Sequence, residues 1–221
     1  CRPLIGKFDA EHKINLFGHS FGGATVLTFA DLLADGSADE RAVTPAEELS
    51  PLFAGGKADH IYSITALAAP LNGTTAVNAR DVIENDPNAT DAEKNVVKAL
   101  TALAYKRSDD RIIDDTAGSD MEIDRAMEML ETIETLPDVY YFSVPCCATD
   151  TSDGVTVIDG DITEDFYEAA GARMATVTGT TAKGDYYGEE WQPNDGLVNT
   201  ISARAPFNAP QKEFDAENIE K

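Results

Sequence analysis

Three apolar runs stand out between breakers along the chain: residues 13–18 (KINLFG), 60–69 (HIYSITALAA) and 139–145 (VYYFSVP). Each is too short and too continuously apolar for a surface helix, which is the pattern of strands in a parallel sheet covered on both faces. Between the first two, residues 23–34 place Val26, Phe29, Ala30 and Leu33 on one helical face, and Gly36 stands where that helix would end. Strand, helix and strand at this spacing predict a crossover unit, and hence an α/β fold with a mostly parallel sheet.

From about residue 76 to 136 the pattern changes to charged helical periods without strands. "DAEKNVVKALTALAY" opens with Asp91 as cap and carries Val96, Val97, Leu100 and Leu103 on one stripe; "MEIDRAMEMLETIETL" repeats this with Ile123, Met127, Leu130 and Ile133. The methionines read as core packing, and "KRSDDRIIDDTAGSD" between the helices reads as an exposed loop. Residues 146–194, rich in Thr, Gly and Asp, predict no definite element. "NDGLVNTISARAPF" then predicts a turn, a short alternating run and a polar tail. The organisation expected is one domain over 1–221 with a helical insertion at 76–136.

A hydrophobic fraction of 43% with no low-complexity tract indicates a globular chain, and no stretch reaches the roughly 20 apolar residues of a membrane span. The net charge of −23 argues against nucleic-acid partners, which are held by clustered Lys and Arg. It fits a solvated, self-repelling surface, or carboxylates that hold a hard cation such as calcium, although no EF-hand spacing is present. Three cysteines, Cys1, Cys146 and Cys147, lack zinc-site spacing, so no metal site is assigned. With Cys1 first and no initiator Met, any targeting segment is expected to lie outside the sequence.

Gly18-His19-Ser20-Phe21-Gly22 fits G-x-S-x-G, with a strand before it and a helix after it. Such a turn holds the Ser in a strained conformation with its hydroxyl above the sheet, and Gly18 and Gly22 are expected to supply clearance where strand and helix close on each other. Ser20 is the candidate nucleophile, and the backbone N–H of Phe21 is a candidate oxyanion donor. A Ser hydroxyl needs a His to take its proton and a carboxylate to orient that His. Asp195, in "QPNDGLVNT", is either that acid or ordinary turn chemistry, since Asn-Asp-Gly forms turns whatever its function. Asp150, Asp153, Asp159 and Asp161 compete weakly. Of the histidines, His12 reads as exposed, His19 as packed beside the strand, and His60 as opening a strand; none follows Asp195, where nucleophile-acid-base order would place the base.

Beyond the elbow, "GHSFGGATVLTFADLLADGSADER", "ELSPLFAGGKADHIYSITALAAPLNGTTAVN" and "NDGLVNTISARAP" resemble, in order, core segments of the secreted bacterial true lipases typified by those of Geobacillus and Staphylococcus. The stretch from Leu49 to Gly56 through the strand to Gly73-Thr74-Thr75 is far more specific than the elbow. The resemblance implies a partial α/β-hydrolase fold, Ser20 as nucleophile, Phe21 N–H as oxyanion donor, Asp195 as triad acid, and 76–136 as a shorter, divergent lid. Pro70-Leu71 stands where the family has Pro-His, and the family's zinc-binding subdomain has no counterpart. No cofactor is assigned; calcium is implied by the resemblance, with ligands mostly beyond residue 221.

The function expected is hydrolysis of acylglycerol esters through an acyl-enzyme by an extracellular lipase, on a lipid or ester substrate at a lipid-water interface, with neither nucleic acid nor a membrane span involved. The catalytic His and the second oxyanion donor are expected outside this sequence, so the chain alone is expected to be inactive. The alternatives are an esterase, thioesterase or acyltransferase on soluble substrates, or a catalytically incomplete fragment.

Overall fold

A computed structural model describes residues 7–104, 116–160 and 165–215. At its centre β1 (Ile14–His19), β2 (Ile61–Leu67) and β3 (Tyr140–Val144) form a parallel sheet in spatial order β1-β2-β3. These are the three predicted strands, with ends moved by one or two residues. The predicted crossover helix is α1 (Phe21–Ala34), which starts two residues before the expected Gly23 and is followed by Gly36 at φ 72°. A short α2 (Ala38–Val43), capped by Ser37, and a single 3-10 turn (Ala58–His60) complete the passage to β2.

The register places Leu16, Ile64 and Tyr141 side by side on one face, and Phe17, Thr65 and Phe142 on the other. The first face packs on α1: Leu27, Ala30, Leu33, Ile61, Ile64, Ala66 and Leu71 form the main core. Each fully enclosed Leu or Ile side chain there contributes about 1.5–3 kcal/mol. The second face is open, with Phe17 63% and Phe142 56% exposed. The two-sided cover expected from the apolar runs is therefore not found among the described residues, because α1 and Leu130 of the insertion pack on the same side.

Within 76–136 the described residues form α3 (Thr75–Glu84), α4 (Asp91–Ala104), α5 (Ala117–Asp120) and α6 (Ile123–Glu131). Val96, Ile123 and Leu130 are buried and Met127 is half-buried, in keeping with the core reading. The side chain of Leu103 lies outside the described residues. Thr90, not Asp91, caps α4: its N–H donates to Glu93 Oε2 (2.7 Å) and Glu93 N donates back to Thr90 Oγ1 (3.2 Å), a capping box. Of the expected loop, residues 105–115 lie outside the described residues, and its end is the helical turn α5, because Thr116 Oγ1 accepts from Ser119 N (3.3 Å).

Residues 146–194, for which the pattern predicted no element, hold β4 (Thr149–Ser152) and β5 (Val155–Ile158), α7 (Asp165–Met174), the short antiparallel pair β6 (Gly179–Thr180) and β7 (Tyr186–Tyr187), and a 3-10 turn (Glu189–Trp191). Asp153 and Gly154, both at positive φ, turn the β4-β5 hairpin. Arg173 fixes α7 to α4, donating from Nε to Glu93 Oε1 (2.9 Å) and from Nη2 to Asp86 Oδ2 (3.2 Å). The alternating run expected after Asp195 is instead the helix α8 (Thr200–Arg204), opened by Ala203 N donating to Asn199 O (3.2 Å).

Candidate active site

Ser20 is the single residue between β1 and α1, at φ 55° and ψ −134°. A non-glycine residue persists in so sparsely populated a region, at a cost of about 1–3 kcal/mol, only where its surroundings impose it. Here Ser20 N donates to Leu67 O (2.9 Å) at the end of β2, and Gly23 N donates to Ser20 O (2.9 Å). The strained strand-to-helix turn expected from the motif is thus present.

Its clearance is distributed differently from the motif's symmetry. A Cβ on Gly18 would lie 2.1 Å from Gly22 O, and one on Gly23 would lie 2.3 Å from Ala69 Cβ, whereas one on Gly22 would meet nothing within 4 Å. The expectation that Gly22 is sterically required is therefore corrected: α1 rests on Ala66 and Ala69 through Gly23, and Gly22 faces open space. Gly18→Ala is expected to destabilise the protein by at least about 3 kcal/mol, because its Cβ meets backbone that cannot yield. Gly22→Ala is expected to be neutral or to stabilise by up to about 1 kcal/mol through helix propensity. Thermal unfolding of the two variants side by side checks the contrast.

Phe21 is the first residue of α1, and the N–H at that position has no acceptor within the helix. The positive end of the helix dipole reinforces a donor there. Asp195 lies in the loop after the second 3-10 turn, half-buried. Its Oδ1 accepts from Leu197 N (3.0 Å) and Val198 N (2.8 Å), and Gly196 follows at φ 93°. The turn reading of Asn-Asp-Gly is thus physically real. Burial nevertheless pushes the Asp195 carboxyl above the ordinary carboxylate range, against the amides of Val198 and Leu197 and the charge of His19, which all pull it down. Thr74 Oγ1, past the end of β2, donates to Leu197 O (2.6 Å), and Ala148 N, past the end of β3, donates to Asn194 O (2.8 Å), which places the Asp195 loop at the same end of the sheet as the elbow. Ligands bind at the carboxyl ends of strands in open α/β sheets.

Buried amide and hydroxyl groups that the sequence reading assigned no role hold that loop in place. Asn199 Oδ1 accepts from Thr75 N (2.8 Å) while its Nδ2 donates to Thr75 Oγ1 (2.8 Å), and Thr74 Oγ1 donates to Leu197 O (2.6 Å). Asn72 N donates to Ser202 Oγ (2.9 Å), and Ser202 Oγ donates to Gly73 O (2.6 Å). These bonds fasten the segment following β2 to the segment carrying Asp195. The signal in the sequence was the pair of polar clusters "LNGTT" and "NDGLVNTIS" beside apolar strands.

The histidines are spread over both ends. His12 is exposed and within 3.1 Å of Asp9 Oδ1, and His60 packs edge-on against Phe8. Both precede a strand whose far end meets Ser20, so roughly 20 Å of chain at 3.3 Å per residue separates each from the hydroxyl. His19 is exposed rather than packed beside the strand as expected, since its neighbours on the open face leave it uncovered. Of the competing carboxylates, Asp150 and Asp153 are exposed on the β4-β5 hairpin, Asp159 follows it half-buried, and Asp161 lies outside the described residues. Among the described residues no group of three or more His, Cys, Asp or Glu side chains is placed to hold a metal ion. A groove of about 920 Å³ runs between β3 and residues 204–214, and neither Ser20 nor Asp195 lines it. No helix among the described residues is long and apolar enough to cross a membrane.

Residues 2–103 match the family model described as "Lipase-like, C-terminal domain". The chain is similar to "Lipase 2" of Staphylococcus aureus, 29% identical over 236 aligned positions that cover 95% of this chain and 33% of that protein. Among solved structures it resembles EstA from Clostridium botulinum (TM-score 0.75, 26% identity, 94% of this chain and 56% of that one). It also resembles Staphylococcus hyicus lipase (TM-score 0.67, 25% identity, 91% and 56%). The chain therefore spans about a third of the length of the curated relative and just over half of each solved one.

Proposed function

We propose that this chain, whose fold is of the α/β-hydrolase type, is a member of the bacterial true-lipase family and supplies the nucleophile, one oxyanion donor and the triad acid of a serine ester hydrolase acting on lipids outside the cell. The observation that carries this is the conformation of Ser20, held at φ 55° between β1 and α1 by a bond to Leu67 O. Nothing in the packing of a purely structural turn requires a serine in that state, while a nucleophile presented above a sheet does.

In this reading Ser20 Oγ attacks the ester carbonyl carbon as a histidine takes its proton. The Phe21 N–H binds the oxygen as it becomes negative, and the acyl-enzyme is then opened by water. His12 and His60 are too far from Ser20 to serve, and His19 ends β1 with its side chain exposed on the open face of the sheet. The base is accordingly a histidine other than these three, oriented by Asp195. The carboxylate steadies the imidazolium without accepting its proton. The helices α3–α6 act as the lid over the substrate, and no step is routed through a metal.

A series of p-nitrophenyl esters tests the substrate class on the intact protein. Long-chain esters are expected to be preferred to acetate, with a rise in rate once substrate forms an interface. Preference for acetate without interfacial activation would replace the lipase by an esterase on soluble substrates.

A further inference from the structure

Cys146 and Cys147 directly follow β3 and have no part in the proposed reaction. Both are free thiols, Cys147 exposed and Cys146 half-buried, and residues 145–148 carry no regular secondary structure that would lock the dipeptide. The dipeptide is nonetheless stitched to the loop that bears Asp195. Thr200 Oγ1 donates to Cys146 O (3.0 Å), Ala148 N donates to Asn194 O (2.8 Å), and Asn194 N donates to Thr149 Oγ1 (3.2 Å).

We propose that Cys146 and Cys147 form a reversible thiol-disulfide couple that exchanges with low-molecular-weight disulfides at the margin of the Asp195 loop. The Cys147 thiolate attacks one sulfur of a small disulfide RSSR and expels RS⁻, which takes up the proton Cys147 released. The Cys146 thiol, losing its proton, then attacks Cys147 Sγ and expels the second RS⁻, which takes that proton. Two protein thiols and RSSR become one protein disulfide and two RSH: the protein is oxidised by two electrons and the small disulfide reduced by two.

The surroundings divide the roles. Burial opposes the Cys147 thiolate, but hydrogen bonds with Thr149 and Thr200 outweigh it and lower the thiol, whose Sγ lies 3.4 Å from the Thr149 hydroxyl. Burial, and then the charge of Asp195, push the Cys146 thiol up. The exposed, more acidic Cys147 is therefore the attacking thiol and Cys146 the resolving one. Adjacent Cα atoms lie about 3.8 Å apart, below the usual disulfide span of about 4.4–6.8 Å. A bridge here is strained and readily reduced, which suits a reversible couple rather than a staple.

The chain, exposed to oxidised glutathione, alkylated and digested with trypsin, tests this. No Lys or Arg lies between Arg125 and Arg173, so both cysteines fall in one peptide. That peptide is expected to be lighter by two hydrogens, unalkylated, and restored by dithiothreitol. Cys146→Ser is expected to stop at a glutathione adduct on Cys147, and Cys147→Ser to remain a free thiol. Two alkylated cysteines, a lasting glutathione adduct in the parent chain, or a bridge to Cys1 would each overturn the proposal. Oxidation is also expected to speed amide exchange at Leu197 and Val198, and unchanged protection there would overturn its placement against the Asp195 loop. Neither readout uses a substrate, so the inference stands or falls apart from the proposed reaction.

Discussion

Ser20→Ala in the intact protein is expected to lower kcat on p-nitrophenyl esters by about 10⁴–10⁶-fold, the scale on which removal of a triad nucleophile acts. Its stability is expected to stay within about 1 kcal/mol of the parent, because the backbone bonds of Ser20 to Leu67 and Gly23 do not involve the side chain. Alanine keeps the Cβ and so keeps the strain at φ 55°. Ser20→Gly relieves that strain and is expected to unfold later on heating while being equally inactive. An enzyme that gains stability as it loses its nucleophile is the signature of strain held for function. If Ser20→Ala retained substantial activity, the hydroxyl would not be the nucleophile.

Asp195→Asn is expected to cost about 10³–10⁴-fold in kcat, since an amide favours the wrong tautomer of the histidine it orients. It is expected to preserve the fold, because an amide oxygen can still accept from Leu197 N and Val198 N. The pH dependence of its stability has a definite sign. Burial, the largest influence, raises the carboxyl in the folded protein above its ordinary value. Below the unfolded-state value of about 3.9 both states are protonated and the burial is free of electrostatic cost. As pH rises through the folded value the protein must bury a charge, and stability is lost. The asparagine variant escapes that loss. It is expected to be the more stable protein at pH 7, with the advantage vanishing towards pH 3, as read from urea midpoints across the range. Wild-type turnover in this variant would return Asp195 to a turn residue alone.

How far the sequence carried these conclusions differs from element to element. The three strands were legible because Ile14, Leu16, Ile61, Ile64 and their neighbours are apolar in short runs, and α1 because Leu27, Ala30 and Leu33 share a face. The β4-β5 hairpin was not, although Asp153-Gly154 is a strong turn signal, because its strands are Thr-rich and largely exposed rather than buried. The helix α8 reads as an alternating run because its short length gives no helical period to find. At the site, the strained turn at Ser20 was legible from a five-residue pattern, but the packing of Gly22 and Gly23 was not. Clearance at Gly23 depends on Ala66, in β2, and Ala69, just past its end, both more than 40 positions away. The polar latch of Asn72, Thr75, Asn199 and Ser202 was hidden for the same reason, since its partners lie about 120 to 130 positions apart.

The central claim is that Ser20 is a nucleophile activated in place. A fluorophosphonate phosphonylates an activated serine and ignores ordinary hydroxyls. Incubated with the intact protein and mapped by peptide mass spectrometry, it is expected to leave one covalent adduct, on Ser20, with ester hydrolysis lost in proportion to labelling. An intact, active protein that carried no adduct on Ser20, or carried it on another serine, would contradict the account.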